Sequence, residues 1–281
     1  MMRALLAFLL IASATQGADP KIHRDIAYAE PKNERQSLDV FSPADGQNHP
    51  IIFWIHGGGW KRGDKSNVQR KPQAFTDKGY VFVSANYRFV PNVNVKAMAS
   101  DIAKSIHWVY DHAKEFGGDP NSIFVMGHSA GAHLAALVCT DDRYLRNEGL
   151  SLAYIKGCVP VDTAAYDISK RLSENGPEGL AAAKEVFGET QESHQDLSPV
   201  TFVAKGKNIP PFLLLHVATR AESKSQTLWF ADKLSAAGVS AKVVAGQGKD
   251  HGTINADLGL ADDEPTKAVY EFMDRALQQT K

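Results

Sequence analysis

Two cysteines in 281 residues are too few to staple a small scaffold, and Cys139 and Cys158 lack the close spacing of a metal-binding pair. Both sit in apolar surroundings, Leu137-Val138-Cys139 and Cys158-Val159, which predicts two buried free thiols rather than a bridge. Charge of one sign is lacking as well. With 31 Lys and Arg against 32 Asp and Glu the net charge is −1, so there is no long-range field to gather nucleic acid or an anionic membrane. The one basic cluster, Lys61-Arg62 with Lys65, is too short to replace it. The chain has no internal repeat, low-complexity tract or linker that would divide it. A hydrophobic content of 43%, with 22 glycines besides, is that of an ordinary globular domain and too high for disorder.

One run at the amino end is set apart from this pattern. Met1-Met2-Arg3 is a short positive segment, followed by apolar Ala4 to Ala12 and then small residues, which reads as a secretory signal peptide over 1–18. The run is short for a bilayer span, and no Cys follows that would carry a lipid anchor. The expectation is an exported protein, secreted or periplasmic, with no stable membrane anchor and a single domain over 19–281.

Beyond the leader, short apolar runs alternate with amphipathic stretches. Ser37 to Phe41 alternates like a half-exposed strand. Ile51 to Ile55, Tyr80 to Ser84, Ile123 to Met126, Gly157 to Val161, Phe212 to Leu215 and Val239 to Ala245 are runs suited to strands covered on both faces. Between Val95 and Glu115, Met98, Ile102, Ile106 and Val109 recur at helical spacing before Gly117-Gly118. Leu228 to Ala237 and Ala268 to Leu277 read as further helices. The fold class is therefore α/β, a mostly parallel doubly wound sheet with helices on both faces. The irregular stretch from Asp162 to Lys207 is expected to cross the top of the sheet as a small insertion and to build much of a pocket there.

Two glycine motifs carry chemistry. Gly127-His128-Ser129-Ala130-Gly131 joins a strand to a helix, the context in which a Gly-x-Ser-x-Gly turn presents its serine as a nucleophile. The flanking glycines let strand and helix approach closely while the serine takes a strained backbone. His56-Gly57-Gly58-Gly59-Trp60 follows another strand, where such a loop supplies a backbone N–H to an oxyanion hole. The amides of Gly58 or Gly59, with that of Ala130, are the expected donors. A phosphate-cradling role for the same glycines fails, since no Gly-Lys-Ser/Thr follows. His56 reads as a brace for its loop.

Taken with Leu38-Asp39-Val40-Phe41-Ser42-Pro43, Gly63-Asp64-Lys65, Asn86-Tyr87-Arg88, Gly118-Asp119-Pro120 and His251-Gly252, these motifs make the chain resemble the α/β-hydrolase superfamily from about Ser37 onward. Within it they resemble the HGGGW group of hormone-sensitive-lipase-like esterases, BD-FAE-type feruloyl and acetylxylan esterases and kynurenine formamidases. The resemblance implies a triad in the chain order Ser, acid, His, with Ser129 as nucleophile and His251 as base. His216, ending a strand, takes the place of a structural His. Asp250 is too close in sequence to orient the ring beside it.

The acid departs from that pattern. In the family the strand ends His-Gly-x-x-Asp, whereas His216-Val217-Ala218-Thr219-Arg220 puts an arginine in the acid's place, and an arginine cannot stabilise an imidazolium. Glu222 on the same loop and Asp162 after the preceding strand are the two substitutes, with Glu222 slightly favoured and Asp167 a distant third.

The expected function is a serine hydrolase cleaving a small-molecule or polysaccharide-linked carboxylic ester, with no metal or organic cofactor. An arylformamidase-type amide hydrolase and a non-catalytic binding protein of the same fold are the alternatives. Trp60, Tyr87 and Phe89 stand after strand ends, as pocket lining or as plain core.

Overall fold

Along the strand His49–Ile55, Ile51, Phe53 and Ile55 enter one hydrophobic core while Ile52 and Trp54 enter another. Successive side chains of a strand point to opposite faces, so an uninterrupted apolar run marks a strand buried on both sides. Gly118–His128 repeats the division, with Ile123 and Val125 on one face and Phe124 and Met126 on the other.

The computed structural model describes residues 19–174 and 176–278; the expected signal peptide lies outside the described residues. Eight strands form one sheet: β1 (Lys21–Ala27), β2 (Ser37–Ser42), β3 (His49–Ile55), β4 (Val81–Ala85), β5 (Gly118–His128), β6 (Ile155–Val161), β7 (Phe212–Val217) and β8 (Ala241–Gly246). Their spatial order is β1-β2-β4-β3-β5-β6-β7-β8. β1 and β2 pair antiparallel, as do β2 and β4, and every later pair is parallel. β1 is an addition to the sequence reading. Its residues are mostly exposed and four of the seven are polar; Arg24 and Asp25 meet the buried Asp39 and Lys65 through ion pairs, while Ile26 packs half-buried against the core.

The helix Val95–His112 buries Met98, Ile102, Ile106 and Val109, and the side chain of Asn94 caps it by accepting the Ala97 N–H at 2.9 Å. Gly117, at φ 74°, then turns the chain into β5. Helices Ala221–Ala236 and Glu264–Gln278 extend the two C-terminal helical readings toward their N-termini. Among the described residues no helix is long and apolar enough to cross a membrane.

The stretch Asp162 to Lys207 is less irregular than its sequence suggests. It folds into the short helices Ile168–Glu174, Pro177–Phe187 and Gln191–Asp196, with a final turn at Pro199–Phe202. Phe187 packs edge-on against Trp60 with ring centroids 4.8 Å apart, and the carbonyl of Leu197 accepts a hydrogen bond from His133 Nε2 at 2.8 Å. The segment therefore supports the glycine loop from behind.

Candidate active site

Ser129 occupies the single-residue turn between β5 and the helix Ala130–Thr140, with φ 57° and ψ −117°. A left-handed φ is costly for a residue with a Cβ and marks backbone held by its surroundings. The flanking glycines permit it by proximity. A Cβ on Gly131 would stand 2.2 Å from the Ile55 carbonyl oxygen, and one on Gly127 would stand 2.5 Å from that of Gly131. The Ser129 N–H donates to the Val161 carbonyl at 2.9 Å, which ties the turn to the end of β6.

His251 Nε2 lies 3.0 Å from Ser129 Oγ, and His251 Nδ1 lies 2.6 Å from Asp162 Oδ2. Asp162 follows β6 directly, is fully buried, and is itself left-handed at φ 51°. Its Oδ1 accepts the Val217 N–H at 3.0 Å, while Oδ2 faces both His251 and, at 2.8 Å, Arg220 Nη1. Burial opposes ionisation here, but hydrogen bonds from His251, Ser223 and Val217, with the Arg220 cation, outweigh it and hold the carboxyl well below its ordinary range. An ionised carboxylate at 2.6 Å requires the proton on Nδ1. Nε2 is then the free acceptor facing the serine hydroxyl, the arrangement a general base needs.

The preference for Glu222 is corrected by this geometry. Glu222 is exposed in the first turn of the helix Ala221–Ala236, and the charge that feels it is the half-buried Arg171. A helix begins at Ala221, so the chain carries Glu222 up and away from the strand end. Asp167 is further off in role: its carbonyl accepts from Gln226 Nε2, and its side chain accepts the Lys170 N–H. Asp250, next to His251, turns to solvent and accepts the N–H groups of Gly252 and Thr253.

Three residues that sequence reasoning gave no active-site part stand around His251. His128 donates from Nε2 to the His251 carbonyl at 2.8 Å, and burial, then the neighbouring His251, pushes its pKa down to about 3, so it stays neutral. Lys71, also buried, donates to the carbonyl of Asn255 at 2.8 Å and lies over the Trp54 ring, steadying the loop that carries His251. Burial, with the Arg70 cation, lowers its pKa to about 7. The third is Arg220, whose Nη1 is 3.0 Å from His251 Nδ1. The only sequence signal for it was its place where the family carries an acid.

The glycine loop forms the opposite wall. Gly58 and Gly59 are left-handed, at φ 129° and 63°, and both line the groove with Ser129 and His251. The N–H groups of Gly58, Gly59 and Ala130 donate to no protein carbonyl among the described residues, which leaves them free for a ligand oxygen. His56 braces this loop as expected. It stacks on Tyr87 at 4.5 Å, donates from Nδ1 to the Gly57 carbonyl at 2.7 Å, and burial lowers its pKa to about 4. Trp60 and Tyr87 are buried structural residues, and Phe89 packs against Tyr87. His216 is likewise a buried structural residue.

The groove has a volume of about 860 Å³. Trp54 is the one large apolar side chain on its wall among the described residues; the others are glycines, His56, His128, His251, Lys61, Arg62, Asn67, Asn255 and Ser129. No described residue of Asp162 to Lys207 lies on that wall, which the stretch reaches through the ion pair of Glu185 with Lys61, correcting the expectation that it builds much of the pocket. The stretch sits behind Trp60 instead.

A strained serine between strand and helix, a histidine and a buried aspartate in series, and unpaired amides across the groove define the α/β-hydrolase architecture. The chain belongs to the BD-FAE family, whose model matches residues 38–222. A protein named probable isoprenylcysteine alpha-carbonyl methylesterase from Arabidopsis thaliana is 28% identical over 91% of this chain and 56% of its own. A probable carboxylic ester hydrolase of Mycobacterium tuberculosis is 30% identical over 68% of this chain and 46% of its own. The chain thus spans about half the length of these relatives. A kynurenine formamidase of Danio rerio is 30% identical over 58% of the chain and 52% of its own. Among solved structures, an esterase B from Lactobacillus rhamnosis superposes with a TM-score of 0.79 at 22% identity, over 93% of this chain and 89% of that one. A truncated carbohydrate esterase from gut microbiota gives 0.76 at 19% identity, over 95% and 99%. At those identities the likeness is one of fold.

Proposed function

We propose that the protein is an exported serine hydrolase that cleaves carboxylic esters through an acyl-enzyme on Ser129. The observation that carries the reading is the series Ser129 Oγ, His251 and Asp162, spaced 3.0 Å and 2.6 Å in an open groove. In this mechanism His251 Nε2 takes the hydroxyl proton as Ser129 Oγ attacks the ester carbonyl. The resulting oxyanion is met by the amides of Ala130 and of Gly58 or Gly59, usually the largest catalytic contribution in acyl transfer. The tetrahedral intermediate collapses as His251 returns the proton to the leaving alcohol, and a water activated by the same histidine releases the acid.

The groove wall bears on the substrate. A wall with a single large apolar side chain, Trp54, set among glycines and polar residues favours a compact acyl group on a polar alcohol and offers little extended apolar surface to an isoprenyl chain. Esters of environmental polysaccharides fit both that lining and the leader expected over 1–18. The kynurenine formamidase relative supports a second reading, hydrolysis of an N-formyl amide by the same residues.

The mature protein should hydrolyse p-nitrophenyl acetate or butyrate, and Ser129→Ala should abolish this. Wild type and variant equally inert on a broad ester panel would reject the enzyme reading. A panel of acetyl-xylan, methyl ferulate and an N-formyl arylamide then assigns the class, preference for the amide favouring the second reading.

A further inference from the structure

We infer that Arg220 is a positioning residue that clamps the acid in its seat after β6 and leaves Asp162 alone to decide which ring nitrogen of His251 carries the proton. The inference rests on the serine hydrolase reading of the site. Arg220 stands where the family's acid stands, at the end of the β7 loop, yet its guanidinium reaches the displaced acid. Nη1 lies 2.8 Å from Asp162 Oδ2 and 3.0 Å from His251 Nδ1, while His251 Nδ1 lies 2.6 Å from that same oxygen. Two donors therefore converge on one carboxylate oxygen, and they also touch each other.

Helix stability does not explain the arginine. It occupies the N-cap of the helix Ala221–Ala236, makes no side-chain capping bond there, and puts a cation at the positive end of the helix dipole. A second arginine, Arg171, stands close enough for its charge to be felt. What the position offers is the carboxylate.

Two consequences follow from the three-way contact. Protonation of His251 during catalysis places a second cation against Arg220, so the arginine offsets part of the stabilisation that Asp162 gives the imidazolium. The other charged or titratable groups near the ring are His128, neutral and tilted by 38° against it with ring centroids 4.5 Å apart, and Asp250, turned to solvent. The charge of Lys71 is felt by His128. The second consequence concerns the tautomer. With Asp162 ionised, Nδ1 carries the proton and Arg220 donates to the carboxylate. Without that carboxylate, the guanidinium N–H is left facing Nδ1 and can donate only to its lone pair. The proton is then held on Nε2, where it blocks acceptance from Ser129.

The test is the pH dependence of kcat/KM on p-nitrophenyl acetate for Arg220→Gln, Arg220→Lys, Asp162→Ala and the double variant Asp162→Ala/Arg220→Gln, each checked for folding by circular dichroism. Arg220→Gln should move the acid limb upward by about one pH unit, the lower range for removing a nearby like charge. Arg220→Lys keeps a cation and should leave the limb where it is in wild type, whatever happens to kcat. The double variant should be roughly tenfold faster than Asp162→Ala, a coupling of ordinary size between touching residues. An unmoved limb in Arg220→Gln overturns the inference, as does a double variant no faster than Asp162→Ala. Neutral variants that fail to fold overturn it too, because Arg220 would then support the fold rather than the site. If wild type and Ser129→Ala are equally inactive, it is the hydrolase reading that has failed, and the Arg220 comparison is made only with an active wild type.

Discussion

Asp162 and His251, 89 residues apart in the chain, meet at 2.6 Å, while Glu222, on the loop where the family keeps its acid, is turned toward solvent. Each carboxylate has a different fate in a triad. Asp162→Asn should keep the backbone bond from Val217 but present an amide to Nδ1, so kcat should fall by about 10³ to 10⁴. Glu222→Gln should stay within about twofold of wild type, as expected of an exposed change away from the reacting atoms. Steady-state rates on p-nitrophenyl acetate decide, with thermal melts confirming folded protein. Collapse of the Glu222 variant beside a healthy Asp162 variant would reverse the assignment.

The glycines of the loop opposite Ser129 should differ sharply among themselves. A Cβ on Gly58 would stand 1.9 Å from the Arg62 carbonyl oxygen, in a backbone at φ 129° that side chains rarely adopt. One on Gly59 would meet nothing within 4 Å, at a φ of 63° that costs a non-glycine residue about 1 kcal/mol. Gly58→Ala should therefore displace the loop amides and lower kcat by about 10² or more, whereas Gly59→Ala should retain most activity and fold normally. Comparable losses in the two would mean that the loop backbone does not set the rate.

How far the chain could be read in advance varied with the kind of interaction. β3 and β5 were legible because burial on both faces forces an unbroken apolar run, and Ser129 was legible because its flanking glycines are demanded by contacts at 2.2 and 2.5 Å. β1 escaped because it is an edge strand, mostly exposed and anchored by its pairing to β2 and by ion pairs, and surface polarity has no period. Asp162 was ranked second because its role depends on a neighbour brought from 89 positions away, which local pattern does not record. His128 was seen only as the variable letter of a motif, though its ring holds the His251 backbone. The wall of the groove was misassigned because helices too short for a clear period look like loop, and their packing behind Trp60 is a tertiary fact.

Acid should unfold the protein earlier than its carboxylates alone would dictate. His56 and His133 are pushed down to about 4 and His128 to about 3, burial being the largest cause in each. His133 shows why: Nδ1 accepts from Trp60 Nε1 at 3.2 Å while Nε2 donates to Leu197, so a second ring proton has no acceptor. Folded values below the unfolded value of about 6.5 mean that the unfolded chain binds more protons in between. The stability is fully present above about pH 6.5 and is lost as pH falls toward 4, by up to about 1.4 kcal/mol per pH unit for each histidine. Asp162, also depressed, adds its loss only below about pH 4. Urea unfolding at a series of pH values should show the decline starting near 6.5; a flat profile down to pH 4.5 would contradict it.

The two thiols should be silent in the native protein and reactive once it unfolds. Cys139, on the helix that follows Ser129, and Cys158, on β6, are both fully buried and free. They neighbour each other, and burial, reinforced by Cys139, pushes the Cys158 thiol well above its ordinary value. A thiol kept protonated and out of solvent is a poor nucleophile toward disulfides and oxidants alike. That protection allows an adjacent pair to stay reduced in the folded protein. Ellman's reagent should label neither cysteine under native conditions and both after denaturation without reductant. Labelling of neither in the denatured state would instead show that the pair had closed into a disulfide.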